Sequence, residues 1–219
     1  MRKSNLLFFF LLGCIVVACR QEKPSSRQKE EYAPLHISPD GDDPYAAASL
    51  AAGPPLLLVL GSTFSVAQGL QPGQGYAALL QEYLPVGGDG LTVLNASVAG
   101  ETAAGAFERL RYLLAHPLRQ VVLELGQADE ARRIPPEAFA RDVRKLLRSI
   151  RTQHPEVPIL ILSSTPAPAY NEVLSAAAAE TDGVVLSSLL LETGAPIRSG
   201  DAALHRRLAE GLLPLVRKD

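Results

Sequence analysis

A chain of 219 residues, 47% hydrophobic and 20% charged, holds enough apolar material for one core of ordinary domain size. Its formal net charge of −2 supplies no large positive field, which excludes nucleic acid as an expected partner. Both cysteines, Cys14 and Cys19, fall in the first 19 residues. The remainder therefore has no disulfide, cysteine nucleophile or thiolate metal site, and no cofactor is expected.

Residues 1–19 read MRKSNLLFFFLLGCIVVAC. Arg2 and Lys3 precede an apolar stretch from Leu6 to Ala18 that is short of the roughly 20 residues of a spanning helix, so it reads as a secretory signal. Its end, Val16-Val17-Ala18-Cys19, resembles a bacterial lipobox, and Cys19 is the expected lipidation site, with Leu12-Gly13-Cys14 a weaker second. The expected location is the bacterial cell envelope, with the chain held to the membrane by its lipid anchor. Arg20 is not the aspartate associated with inner-membrane retention in some bacteria, which favours the outer membrane. Residues 20–54 are rich in charge, Pro, Ser, Gly and Ala with no sustained apolar period, and are expected to form a flexible tether about 30 Å long.

From Pro55 onward, residues 55–219 alternate short apolar runs with helix-length segments. The predicted strands are Leu56–Leu60, Leu91–Leu94, Val121–Leu125, Ile159–Leu162 and Val184–Leu186. Continuous rather than alternating apolar runs suit a parallel sheet covered on both faces. Helices are predicted over about 74–84, 103–116, 136–153, 170–180 and 201–216. The clearest has Phe139, Val143, Leu146, Leu147 and Ile150 at helical spacing after Pro135-Pro136. This order predicts a doubly wound α/β sandwich, whose sites lie outside the carboxyl ends of the strands. The loops beginning at Gly61, Asn95, Gly126 and Ser163 are thus the places to search, and His116 and His154 fall at the opposite edge.

Three of these loops, in order, resemble the conserved blocks of the SGNH/GDSL hydrolases, in the arylesterase and lysophospholipase-like branch. VLGSTFSVAQGL falls where that family has Gly-Asp-Ser-Leu-Ser-x-Gly. LNASVAGETAAGAFERL resembles Asn-Ala-x-x-x-Gly-Asp-Thr, and LELGQADEARRIPPEAF resembles Leu-Glu-Leu-Gly-Gly-Asn-Asp followed by Pro-Pro-Glu. The resemblance implies a flavodoxin-like three-layer sandwich with a five-stranded parallel sheet between helices, and ester hydrolysis by a serine, histidine and aspartate with an oxyanion hole.

Carried over residue by residue, the likeness implies a degenerate site. Thr63 stands at the nucleophile and Ser62 at the preceding aspartate. Gly100 matches the oxyanion glycine, and Ala128 replaces the oxyanion asparagine. The Asp-x-x-His block has no counterpart in ETGAPIRSGDAALHRRL, where the aspartate position falls on Ala195 or Pro196 and the histidine position on Arg198 or Ser199. The expected function is a non-catalytic envelope binding protein, taking a small acyl or glycan ligand or an envelope protein in the former cleft. The alternative is a divergent esterase that uses Thr63 or Ser65. His205 with Asp201 is the nearest substitute base pair, although both also make sense as structural residues of the last helix. Glu101 and Asp129 read as loop-capping residues, and Ser62 and Ser65 as caps of the turn after the first strand. Arg141, Arg144, Lys145, Arg148 and Arg151 form a basic helix face that suits solvent or an anionic envelope surface.

Overall fold

In the computed structural model, which describes residues 55–84, 91–192 and 197–216, the five apolar runs form one sheet. Strands β1 (Leu56–Leu60), β2 (Thr92–Asn95), β3 (Leu118–Leu125), β4 (Ile159–Ser163) and β5 (Val184–Ser187) are all parallel, in the order β2-β1-β3-β4-β5. The helices are α1 (Tyr76–Tyr83), α2 (Ala103–Leu113), α3 (Gln127–Ala131), α4 (Pro136–Gln153), α5 (Pro168–Ala179) and α6 (Ala202–Val216). The signal segment 1–19, Cys19 and the tether 20–54 lie outside the described residues. Among the described residues, no helix is long and apolar enough to cross a membrane.

Side-chain alternation along the strands divides the core into two layers. Leu58, Leu60, Val121, Leu123 and Ile161 face α2, α4 and α5, while Leu57, Val59, Val122, Leu160 and Leu162 face α1 and α6. Both sets are buried, which is why the strands read as unbroken apolar runs. Chain order reverses between β1 and β3, and crevices at such a switch point open beyond the carboxyl ends of the strands.

Several predicted bounds shift. Helix α4 occupies the predicted residues, with Pro136 in its first turn. β2 runs one residue later than Leu91–Leu94. β3 starts at Leu118 rather than Val121, because a bulge at Arg119 breaks the apolar run: Leu56 pairs with Leu118 and Leu57 with Gln120. Gln120 then lies buried against α6, where its side-chain amide donates to the Leu215 carbonyl at 3.2 Å.

Candidate active-site cleft

β1 delivers the chain into a tight turn over residues 62–69. Gly61 is enforced by space: a Cβ there would lie 2.6 Å from Ser65 Oγ and 2.8 Å from both Glu124 Cβ and Glu124 Oε2. The turn is held from below by Glu124 of β3, a buried carboxylate whose Oε2 accepts the backbone N–H of Ser62 at 2.7 Å and of Ser65 at 3.3 Å. This corrects the reading of Ser62 and Ser65 as hydroxyl caps. Ser62 Oγ is buried with no hydrogen-bond partner, and Ser65 Oγ shares a 2.8 Å hydrogen bond with the buried Tyr76 hydroxyl. Burial also pushes the Tyr76 hydroxyl far above the usual tyrosine range.

Thr63 is half-buried, and its Oγ1 accepts the Gly100 N–H at 2.9 Å. Gly100 has φ of 72°, the left-handed region that suits glycine. Its carbonyl accepts from Arg132 Nη2 at 2.8 Å. The rest of the β2 loop is fixed by Asn95 Nδ2, which donates to the Ser65 carbonyl, and by Arg109, which forks onto Glu101 and also donates to the Ala96 carbonyl. The Arg109–Glu101 pair is charge-assisted and bidentate, with N···O distances of 2.6 Å.

The β3 loop turns at Gly126, where φ is 108° and a Cβ would lie 2.5 Å from Thr165 Cγ2. It enters α3, which replaces the predicted loop with a short helix. Ala128 is buried there and its methyl group donates no hydrogen bond. Asp129 is buried too, with both carboxylate oxygens 3.2 Å from the Ala103 N–H at the start of α2. Burial raises its pKa from 3.8 to about 6, with the nearby Asp142 adding to the rise and the Ala103 N–H opposing it.

His205 is not placed as a base. Its ring is fully buried, stacked on Phe64 with centroids 4.2 Å apart and planes within 5°. Nδ1 accepts the Tyr76 N–H at 3.1 Å, so the proton sits on Nε2, which donates to the Ser199 carbonyl at 2.9 Å. Burial lowers its pKa, keeping the ring neutral in this setting. Asp201 Oδ1 accepts the Leu204 N–H at 3.0 Å and so caps α6. His154 Nε2 lies 2.8 Å from the Leu114 carbonyl, away from the cleft. Arg198 is exposed and Ser199 half-buried at the entry to α6, while Ala195 and Pro196 lie outside the described residues. Among the described residues, no group of three or more His, Cys, Asp or Glu side chains could hold a metal ion.

The switch-point crevice and the meeting of the β1 and β2 loops at Thr63, with the Gly100 N–H aimed at its hydroxyl, agree with a family profile. That of the GDSL-like Lipase/Acylhydrolase family matches residues 49–212. The chain belongs to this acylhydrolase family. Among similar family members is Esterase TesA of Pseudomonas aeruginosa, 37% identical over 122 residues, covering 54% of this chain and 61% of that protein. Thioesterase 1/protease 1/lysophospholipase L1 of Escherichia coli is 32% identical over 130 residues, covering 58% of this chain and 61% of that protein. The chain thus spans about three-fifths of the length of these relatives. A crystal structure of TesA superposes with a TM-score of 0.65 at 31% identity, covering 74% of this chain and 98% of that one. AlinE4, an SGNH-hydrolase family esterase, shares the fold, with a TM-score of 0.58 at 22% identity over 75% of this chain and 95% of that one.

Within the acylhydrolase fold, the basic face of α4 is less free than its spacing suggests. Arg144 pairs with Glu180, Lys145 with Asp142, and Arg151 donates to the carbonyls of Asp182 and Val157. Burial of Arg151 lowers its pKa. Arg144 and Arg151 therefore tie α4 to residues 180–182, the chain that leads into β5, while Lys145 pairs within α4.

Proposed function

We propose that this protein is a lipid-anchored envelope protein whose acylhydrolase domain has lost its catalytic set and binds a ligand or partner through the retained cleft. The observation that carries this reading is the surroundings of Thr63 Oγ1. Among the described residues its hydrogen bond is to the Gly100 N–H, and no imidazole or carboxylate is bonded to it. A threonine hydroxyl without a base is a poor nucleophile at neutral pH. His205, the substitute base that the sequence offers, has both ring nitrogens committed. Loss of a nucleophile or its base costs roughly 10⁶ in rate in a serine hydrolase, and loss of one oxyanion donor about 10²–10³.

A second reading, ester hydrolysis by Thr63, is favoured by the Gly100 N–H beside Thr63 and by relatives whose names are those of esterases. Ser65 is the weaker alternative, being buried and bonded to Tyr76. Assaying the purified protein and its Thr63→Ala variant on short-chain aryl esters decides between the readings. Equal turnover at background is expected. Turnover well above background that Thr63→Ala abolishes would overturn the binding-protein reading.

The anchor has a separate test. A fatty-acid analogue fed to cells is expected to label the protein and to lose that label with Cys19→Ser. Labelling that persists would move the site to Cys14 or remove the anchor.

A further inference from the structure

At the carboxyl edge of the sheet, a cleft of about 700 Å³ separates Gln127 from residues 197–202. Its walls are the start of α3 at Gln127 and the segment on which the family resemblance places the missing histidine. Several hydrogen-bonding groups around it are already used within the fold. Asp201 Oδ1 accepts the Leu204 N–H, and the Ser199 carbonyl accepts from His205 Nε2. The Gln127 N–H donates to Ser164 Oγ. What remains on the side chains that line it is the Arg198 guanidinium, the Gln127 amide, the Ser199 hydroxyl and the second carboxylate oxygen of Asp201. Neither the exposed Arg198 guanidinium nor the Gln127 side-chain amide has a hydrogen bond or ion pair among the described residues.

A guanidinium presents paired N–H donors that match the two oxygens of a carboxylate, and an adjacent amide can add a third donor. An uncharged ester offers such a site a single weaker acceptor. The apolar side of a ligand also has a place, because Ile197 and Ala202 line the same cleft.

We propose that this cleft binds ligands bearing a free carboxylate, the acid form of an acyl group rather than its ester, with Arg198 as the ion-pair donor and Gln127 beside it. The inference rests on the binding-protein reading above and names the ligand class for the same cleft. An arginine at or beside the position where the family's hydrolysis needs a proton acceptor changes what the cleft selects. It cannot take a proton at neutral pH, and it holds an anion in place.

The test uses the intact chain in a non-ionic detergent, titrated calorimetrically with butyrate, its uncharged counterpart butyramide, and inorganic phosphate. Butyrate is expected to bind at least about tenfold more tightly than butyramide, the scale of one charge-assisted contact. Arg198→Ala, at an exposed position where folding is not at stake, is expected to erase that preference, and Gln127→Ala to reduce it. Equal binding of butyrate and butyramide, no binding of either, or a preference unchanged by Arg198→Ala would each overturn the proposal. Phosphate that outcompetes butyrate would overturn the carboxylate assignment in favour of phosphate. Ester turnover by the same preparation would refute the binding-protein reading instead, so the two failures are separable.

Discussion

Glu124→Ala is expected to lower the unfolding free energy by about 2–4 kcal/mol, read from urea or thermal denaturation, because it strips the acceptor from two buried donors at once. The Ser62 and Ser65 N–H groups both point at Glu124 Oε2, and the turn they belong to is buried from solvent at Ser62, Phe64 and Ser65. With the carboxylate gone, each orphaned N–H costs about 1–3 kcal/mol, and a side-chain-sized void is added. Relief of the desolvated carboxylate offsets part of this, since Oε1 has no hydrogen-bond partner. Glu124→Gln separates these contributions, because it keeps an acceptor oxygen and is expected to recover most of the lost stability. A loss below about 1 kcal/mol for Glu124→Ala would mean that the turn holds its shape without this support.

The second large effect is a pH dependence centred on Asp129. Its folded-state pKa is raised from 3.8 to about 6, so between those values the folded protein binds a proton that the unfolded chain does not. Stability from this group is therefore fully present below about pH 4 and is lost as pH rises through about 6. The full span of the effect is roughly 2–3 kcal/mol. Asp129→Asn keeps an oxygen for the Ala103 N–H but cannot titrate. The difference between wild-type and Asp129→Asn stabilities, followed by denaturation from pH 4 to 7, is expected to favour the wild type more at the acid end. A flat difference would remove burial as the dominant influence on Asp129.

Sheet and helices were largely legible from periodicity, because β1, β3 and β4 are covered on both faces and every long helix buries one stripe. Phe139, Val143, Leu146, Leu147 and Ile150 are buried along α4 at the predicted spacing. What periodicity could not reach was short or irregular. Helix α3 is five residues long, too brief to display a period, and the bulge at Arg119 hides the first turn of β3. In the cleft, the loops themselves were visible as departures from apolar runs at strand ends. Glu124 was not, although it stands in the quoted LELG run, because a charged residue inside an apolar strand gives no sign of which distant N–H groups it will meet. For His205 the sequence offered only a helix position four residues after Asp201. The stacking on Phe64 that sets its environment joins residues 64 and 205, a pairing that no local pattern records.

That same stack bears on the order of assembly. The Tyr76 N–H bonds His205 across a separation of 129 residues, and Phe64 rests on the same imidazole. Contacts of such long range are entropically expensive to close and form late in folding. During synthesis from the amino end, the turn bearing Thr63 emerges early but stays without its imidazole support until α6 has been made and docked. A chain cut short before α6 would therefore carry every motif residue of the first three loops and still lack a finished cleft.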